Sequence, residues 1–279
     1  MGLNVRGASA DAVFEKSIIY KLKKIKIKMK IIQKDKEKII FVEEIDESLA
    51  NSIRRSCLEI PVLAIDEVEF HKNDSVLYDE VLALRLGLIP LKTEKNMDLK
   101  DECSCKGKGC SKCSVQLKLR AKGPCTVYAK DLKGKAEVVY GEMPIVELAE
   151  YQELEFIASA VLGKGIQHTK FSPGLVYYRN VPELEIGKEC DNCKKCVEAC
   201  PLNLLKLEKG KVELTDKYKC DLCEACVEAC KKEGKNAIKI NPGKEIIFFI
   251  ESFGQIKADD ILTQAVKALK ENLKQVLKA

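Results

Sequence analysis

The chain has no tryptophan, only two histidines and, in 279 residues, no apolar run long enough to cross a bilayer. So little histidine leaves scant material for imidazole acid–base chemistry, and His71 and His168, far apart, read as surface or satisfied residues. There is no P-loop, no GxGxxG after a strand and no nucleophile elbow. The many acidic residues form no DxD-like group of the kind that holds Mg²⁺. Nothing reads as an active site. Neither charge sign dominates, with 48 Lys+Arg against 43 Asp+Glu and a net charge of +5, so direct nucleic-acid binding is not expected. The opening MGLNVRGASADAVFEKS lacks the apolar stretch and cleavage site of a signal peptide. A cytoplasmic, reducing and oxygen-poor setting, with no membrane association, is expected.

What the chain does have is cysteine, 14 in all. CDNCKKCVEACP at 190–201 recurs as CDLCEACVEACK at 220–231, and each copy reads C-x2-C-x2-C-x3-C. Three close cysteines hold three irons of a cubane, and the fourth reaches the neighbouring cluster. The expected ligands are Cys190, Cys193, Cys196 and Cys230 for one [4Fe–4S] cluster, and Cys220, Cys223, Cys226 and Cys200 for the other. A pair of structural zinc knuckles is the alternative, but it would leave the last cysteine of each run unused. Pro201 follows the first run and Lys231 the second, which is expected to loosen the turn after Cys230. Whether such clusters carry electrons or only hold together a small domain is not decided by composition.

A further group, CSCKGKGCSKC, supplies Cys103, Cys105, Cys110 and Cys113 with Gly107 and Gly109 between them. Four thiolates so close suit a tetrahedral Zn²⁺; a third iron–sulfur cluster and an empty site are the alternatives, and the spacing does not match a ferredoxin run. Cys57 and Cys125 stand alone and read as buried free thiols.

Residues 1–17 show no useful periodicity. Strict alternation predicts a strand over 25–31, then a turn at Lys34-Asp35-Lys36 and a second strand over 39–45. A helix capped by Ser48 would carry Leu49, Ile53 and Cys57 on one side and stop at Pro61. Strands are expected over 62–70, 115–119, 126–130, 145–148, 154–161 and 245–251. A helix over 78–86 would turn Val81, Leu82 and Leu86 inward. From Asp259 or Asp260 a long helix runs with Ile261, Leu262, Ala265, Val266, Leu269, Leu273, Val276 and Leu277 along one broad stripe.

With those segments in hand, the chain resembles the D-type, alpha-like subunits of archaeal RNA polymerases, the counterparts of the bacterial alpha subunit. ESLANSIRRSCLEIPVLAIDEVEF looks like that family's first helix and following strand, and SVLYDEVLALRLGLIPL like its next segment. GPCTVYAKDL and GKGIQHTKFSPG, with the four-cysteine loop, are similar to later landmarks. The resemblance implies an α+β fold in three parts. A discontinuous dimerisation domain would occupy 18–60 and 244–279, an inserted α+β domain with the four-cysteine loop 61–181, and a ferredoxin-like two-cluster domain 182–243, after an extension over 1–17. It implies a non-catalytic assembly subunit that pairs with subunit L and forms a platform for the large catalytic subunits, helped by subunits N and P. Nucleotide addition would belong to the large subunits; Arg54, Arg55 and RLGLIPL would touch them. The rival expectation is a ferredoxin-type electron-transfer component of an oxidoreductase.

Overall fold

A computed structural model describes residues 29–93, 96–276 and 278. The extension over 1–17 and most of the strand expected over 25–31 lie outside the described residues. From there β1 (Lys30–Lys34) runs antiparallel to β2 (Lys38–Glu43). Asp35 closes the turn between them, its carboxylate accepting from the Glu37 and Lys38 amides. Helix α1 (Glu47–Ser56) is capped by Asp46, whose Oδ1 accepts from the Leu49 amide at 2.8 Å, rather than by Ser48. Ser48 lies inside the first turn, and the shorter reach from an aspartate one residue outside the helix prevails. Ala50, Ile53 and Cys57 are buried beneath it and Leu49 half-buried.

The middle of the chain forms a second body. β3 (Val62–Asn73) leads to α2 (Asp79–Gly87), and then come β4 (Ser114–Lys122), β5 (Cys125–Tyr128), β6 (Lys133–Gly134), β7 (Pro144–Leu148) and β8 (Glu153–Gly163). The sheet order is β3-β8-β4-β6, all antiparallel, with β5 and β7 as a separate ribbon. Leu63, Ile65, Leu117, Leu154 and Phe156 from the strands meet Leu82 and Leu86 of α2 in one core. Val81, expected inward, is 42% exposed, because a helix that seats Leu82 and Leu86 at i and i+4 turns position 81 toward solvent.

β9 (Gly174–Ile186) follows, then a small module with α3 (Lys195–Ala199), β10 (Leu205–Glu208), β11 (Lys211–Leu214) and α4 (Ala225–Lys232). The chain returns along β12 (Ile238–Ser252) and ends in α5 (Ala258–Val276). β12 pairs with β2 on one side and β9 on the other, giving the order β1-β2-β12-β9, so residues 174–181 share this sheet too. Period-two alternation gives the sheet two apolar faces. Ile39, Phe41, Ile246, Phe248 and Ile250 face α1 and α5, with Phe41 stacked on Phe248 at 5.0 Å. Val42, Val181 and Ile247 form the opposite face, flanked by Phe249, which stacks on Tyr177 at 4.6 Å. The molecule is thus α+β, with one body assembled from both ends of the chain.

Candidate metal and cluster sites

The loop leading into β4 gathers four sulfurs. Cys103 and Cys113 are buried, Cys105 and Cys110 half-buried, and their Sγ atoms all lie within 4.8 Å of one another. Cys103–Cys110 and Cys105–Cys113 are each 3.6 Å apart and Cys110–Cys113 3.9 Å. A tetrahedral ion with metal–sulfur bonds of about 2.3 Å puts its corners about 3.8 Å apart, so the set can hold one. Gly107 and Gly109 both have positive φ, +79° and +80°, which lets the chain fold back between the second and third ligands. Short turns fix each end: the Lys106 amide donates to Cys103 and the Cys113 amide to Cys110. Burial opposes ionisation of Cys105, but hydrogen bonds from Cys113, Cys103 and the Gly109 amide outweigh it and hold its pKa at about 6. The sulfur cluster and the Gly109 amide thus favour the thiolate form at Cys105.

The repeated runs fold alike. Asn192 and Lys194 take left-handed φ of 61° and 62°, and their counterparts Leu222 and Glu224 take 61° and 58°. Each run then enters a short helix, α3 or α4. Pro201 stops α3 at Ala199, whereas Lys231 lets α4 continue to Lys232, so the second turn is lengthened rather than loosened. The helices bring the last cysteine of each run across to the other. One pocket is lined by Cys190, Cys193, Cys196 and Cys230, and a second by Cys200, Cys220, Cys223 and Cys226. Val212, Ala237 and Ile238 close the first; Leu204, Leu205, Leu214 and Ile240 close the second. Burial raises the thiols of Cys196 and Cys220 and pushes Cys226 up to about 11. Burial thus opposes ionisation of these three sulfurs, and a bound cation would offset that cost. Cys193 and Cys223 are exposed, so both pockets open to solvent.

The remaining residues singled out in the sequence go elsewhere. His71 and His168 are both exposed, and the His168 Nδ1 accepts from the Lys170 amide. Cys57 is buried as expected, its pKa pushed up to about 12 by desolvation, but Cys125 is exposed at the start of β5. It occupies a strand-edge position with an outward Cβ, which the neighbouring Gly123-Pro124 hid from pattern reading. Arg54 is half-buried and held by Asn51, and Arg55 is exposed. Arg85 of RLGLIPL donates to the Ile145 and Pro144 carbonyls, while Leu84 and Leu88 face outward. Sequence reading missed Tyr218 and Arg179, where the Arg179 guanidinium donates to the Tyr218 carbonyl at 2.6 Å just before Cys220. The available signal was the repeat itself: the position matching Tyr218 in the first copy is Lys188.

Comparison with known proteins agrees with this arrangement. Residues 60–174 match the RNA polymerase Rpb3/RpoA insert domain, and residues 184–231 match the 4Fe-4S dicluster domain. The chain is 40% identical over 254 residues to DNA-directed RNA polymerase subunit Rpo3 of Methanothermobacter thermautotrophicus, covering 87% of this chain and 94% of that protein. It is 34% identical over 257 residues to Rpo3 of Archaeoglobus fulgidus, covering 90% and 96%. To Rpo3 of Methanopyrus kandleri it is 34% identical over 253 residues, covering 88% and 92%. With an insert domain, an iron–sulfur domain and a body built from both chain ends, this chain belongs to the Rpo3 family of DNA-directed RNA polymerase subunits.

Proposed function

We propose that the chain is a non-catalytic, cytoplasmic assembly subunit that pairs with subunit L and presents the platform on which the large catalytic subunits, with subunits N and P, assemble. The observation that carries this reading is an unfinished apolar surface on the body built from both chain ends. Among the described residues β1 is an exposed edge strand, with Ile31 49% and Ile32 39% accessible, and Val276 near the end of α5 is 73% accessible. An edge with free backbone groups beside an uncovered helix stripe is what a heterodimer buries. In this reading that body is 18–60 and 244–279, joined in its sheet by 174–181; the insert is 61–181 and the cluster module 182–243. Arg54, Arg55 and the outward Leu84 and Leu88 are the contacts offered to the large subunits.

In the same reading Cys190, Cys193, Cys196 and Cys230 hold one [4Fe–4S] cluster, Cys220, Cys223, Cys226 and Cys200 a second, and Cys103, Cys105, Cys110 and Cys113 a zinc ion. The two four-cysteine pockets support the first assignments and the near-tetrahedral sulfur spacing the third. The clusters serve structure or redox regulation of assembly. Exposure of Cys193 and Cys223 favours a second reading, in which they pass electrons in an oxidoreductase. Anaerobic co-purification separates the two: a stoichiometric complex with subunit L carrying about eight irons and one zinc supports the first. A flavoprotein or hydrogenase partner would sink it.

A further inference from the structure

The two cysteine runs are near copies in sequence, yet the molecule holds them differently. The first is tied only within its own module among the described residues. Lys235 pairs with Asp191, and the Gly187 amide donates to Ala237. The second run is tied to the sheet of the terminal body. The Arg179 Nη2 donates to the Tyr218 carbonyl at 2.6 Å, two residues before Cys220, and Arg179 itself lies over the Phe249 ring at 5.2 Å. The Tyr218 hydroxyl accepts from Lys30 of β1 at 2.9 Å, and the ring packs with Val42, Val181 and Ile247 on the outer sheet face. Lys217, next in the chain, pairs with Glu245 of β12. Three strands of one sheet, β1, β9 and β12, thus each contribute a side chain to the segment that enters the second run.

We propose that Arg179 and Tyr218 are positioning residues for the Cys200, Cys220, Cys223 and Cys226 site, a strut from the sheet that makes its cluster the more firmly retained of the two. The proposal rests on the ligand assignment above. A ligand run held at its entrance by a charge-assisted hydrogen bond and a half-buried ring has fewer open conformations from which iron can leave. The matching position in the first run, Lys188, has no such anchor among the described residues, so that site opens with its own module.

The test uses the full-length chain, purified anaerobically, and a ferrous chelator as the probe of iron release. Two backgrounds, Cys193→Ser with Cys196→Ser and Cys223→Ser with Cys226→Ser, leave one intact ligand set each. Arg179→Gln and, separately, Tyr218→Ala are expected to speed bleaching of the Cys220-side cluster on the order of tenfold, as loss of one hydrogen bond to a charged group does. They should leave the Cys190-side rate and its EPR signal unchanged. Lys235→Ala should do the reverse, and Arg179→Lys should recover part of the loss. Should a background fail to hold its cluster, the chain with all eight cysteines gives the same comparison as two phases of release. Equal acceleration of both clusters, or of neither, would overturn the strut while leaving the ligand assignment standing. A wild-type chain that holds zinc in place of iron would overturn both.

Discussion

At the scale of single residues, burial decides which groups react. Cys57 sits under α1 with its thiol pushed up to about 12 by desolvation, whereas Cys125 is exposed. Brief alkylation of the native, metal-loaded chain should label Cys125 and spare Cys57 until the protein is unfolded, read by peptide mass spectrometry. Glu43 shows a cost of burial. Its Oε2 is buried without a partner among the described residues, and desolvation, then repulsion from Glu44, raise its pKa. A carboxylate raised in the folded state favours folding below its unfolded pKa of about 4.3, and that advantage is lost as pH rises through the folded value. Glu43→Gln should therefore raise Tm at neutral pH, with the gain shrinking as the buffer approaches pH 4; a gain that grows on acidification would contradict this sign. Both residues lie in segments whose secondary structure is plain from pattern, but their burial depends on α5 and β12, which arrive some two hundred residues later.

At the scale of elements, α5 divides in two. Its first half buries Ala258, Ile261, Leu262 and Ala265 against the sheet, while Val276 near its end stands free. Lys34 pairs with Asp259 at its start, and Glu59 receives Asn272 farther along. Ile261→Ala should cost about 2–5 kcal/mol in the isolated chain and Val276→Ala almost nothing, measured by urea denaturation. If the exposed end is the partner's share, Val276→Ala still weakens capture of subunit L. The stripe was legible because helical periodicity is local. The pairing of β9 with β12 was not, and the reason is visible in the strands themselves. Pro182 stands opposite Pro242, where neither can donate to the ladder, and a register shift follows between Pro242 and Ile246. Two prolines and Gly243 read as a break; the bulge makes them part of one long ribbon. The grouping of the eight cysteines into two pockets, by contrast, was legible, since the spacing within each run is set inside a dozen residues. What spacing could not supply was Tyr218 and Arg179, whose meeting depends on the sheet.

At the scale of the whole molecule, the three largest buried clusters among the described residues differ in make-up, and one of them includes four cysteines. The module's core sets Cys196, Cys220, Cys226 and Cys230 beside Leu204, Leu205, Val212, Ile238 and Ile240, so filling the cluster sites would couple to folding there. The insert and the terminal body have full apolar cores of their own. Replacing Cys223 and Cys226 with serine should therefore loosen the module more than it weakens the proposed pairing with subunit L. Hydrogen exchange over 188–237 together with heterodimer titration checks this, and loss of the heterodimer with a protected module would refute it.

The point where the module leaves the body has its own meaning. Ile186 and Ile238 are cross-strand neighbours at the end of the β9–β12 ribbon, where paired backbones lie about 5 Å apart. Topologically, everything between them is the tip of a hairpin, whatever chemistry it contains. A two-residue turn such as Asn-Gly spans the same gap. A single excision between these two residues could therefore remove the whole cysteine module and leave the sheet of the terminal body intact.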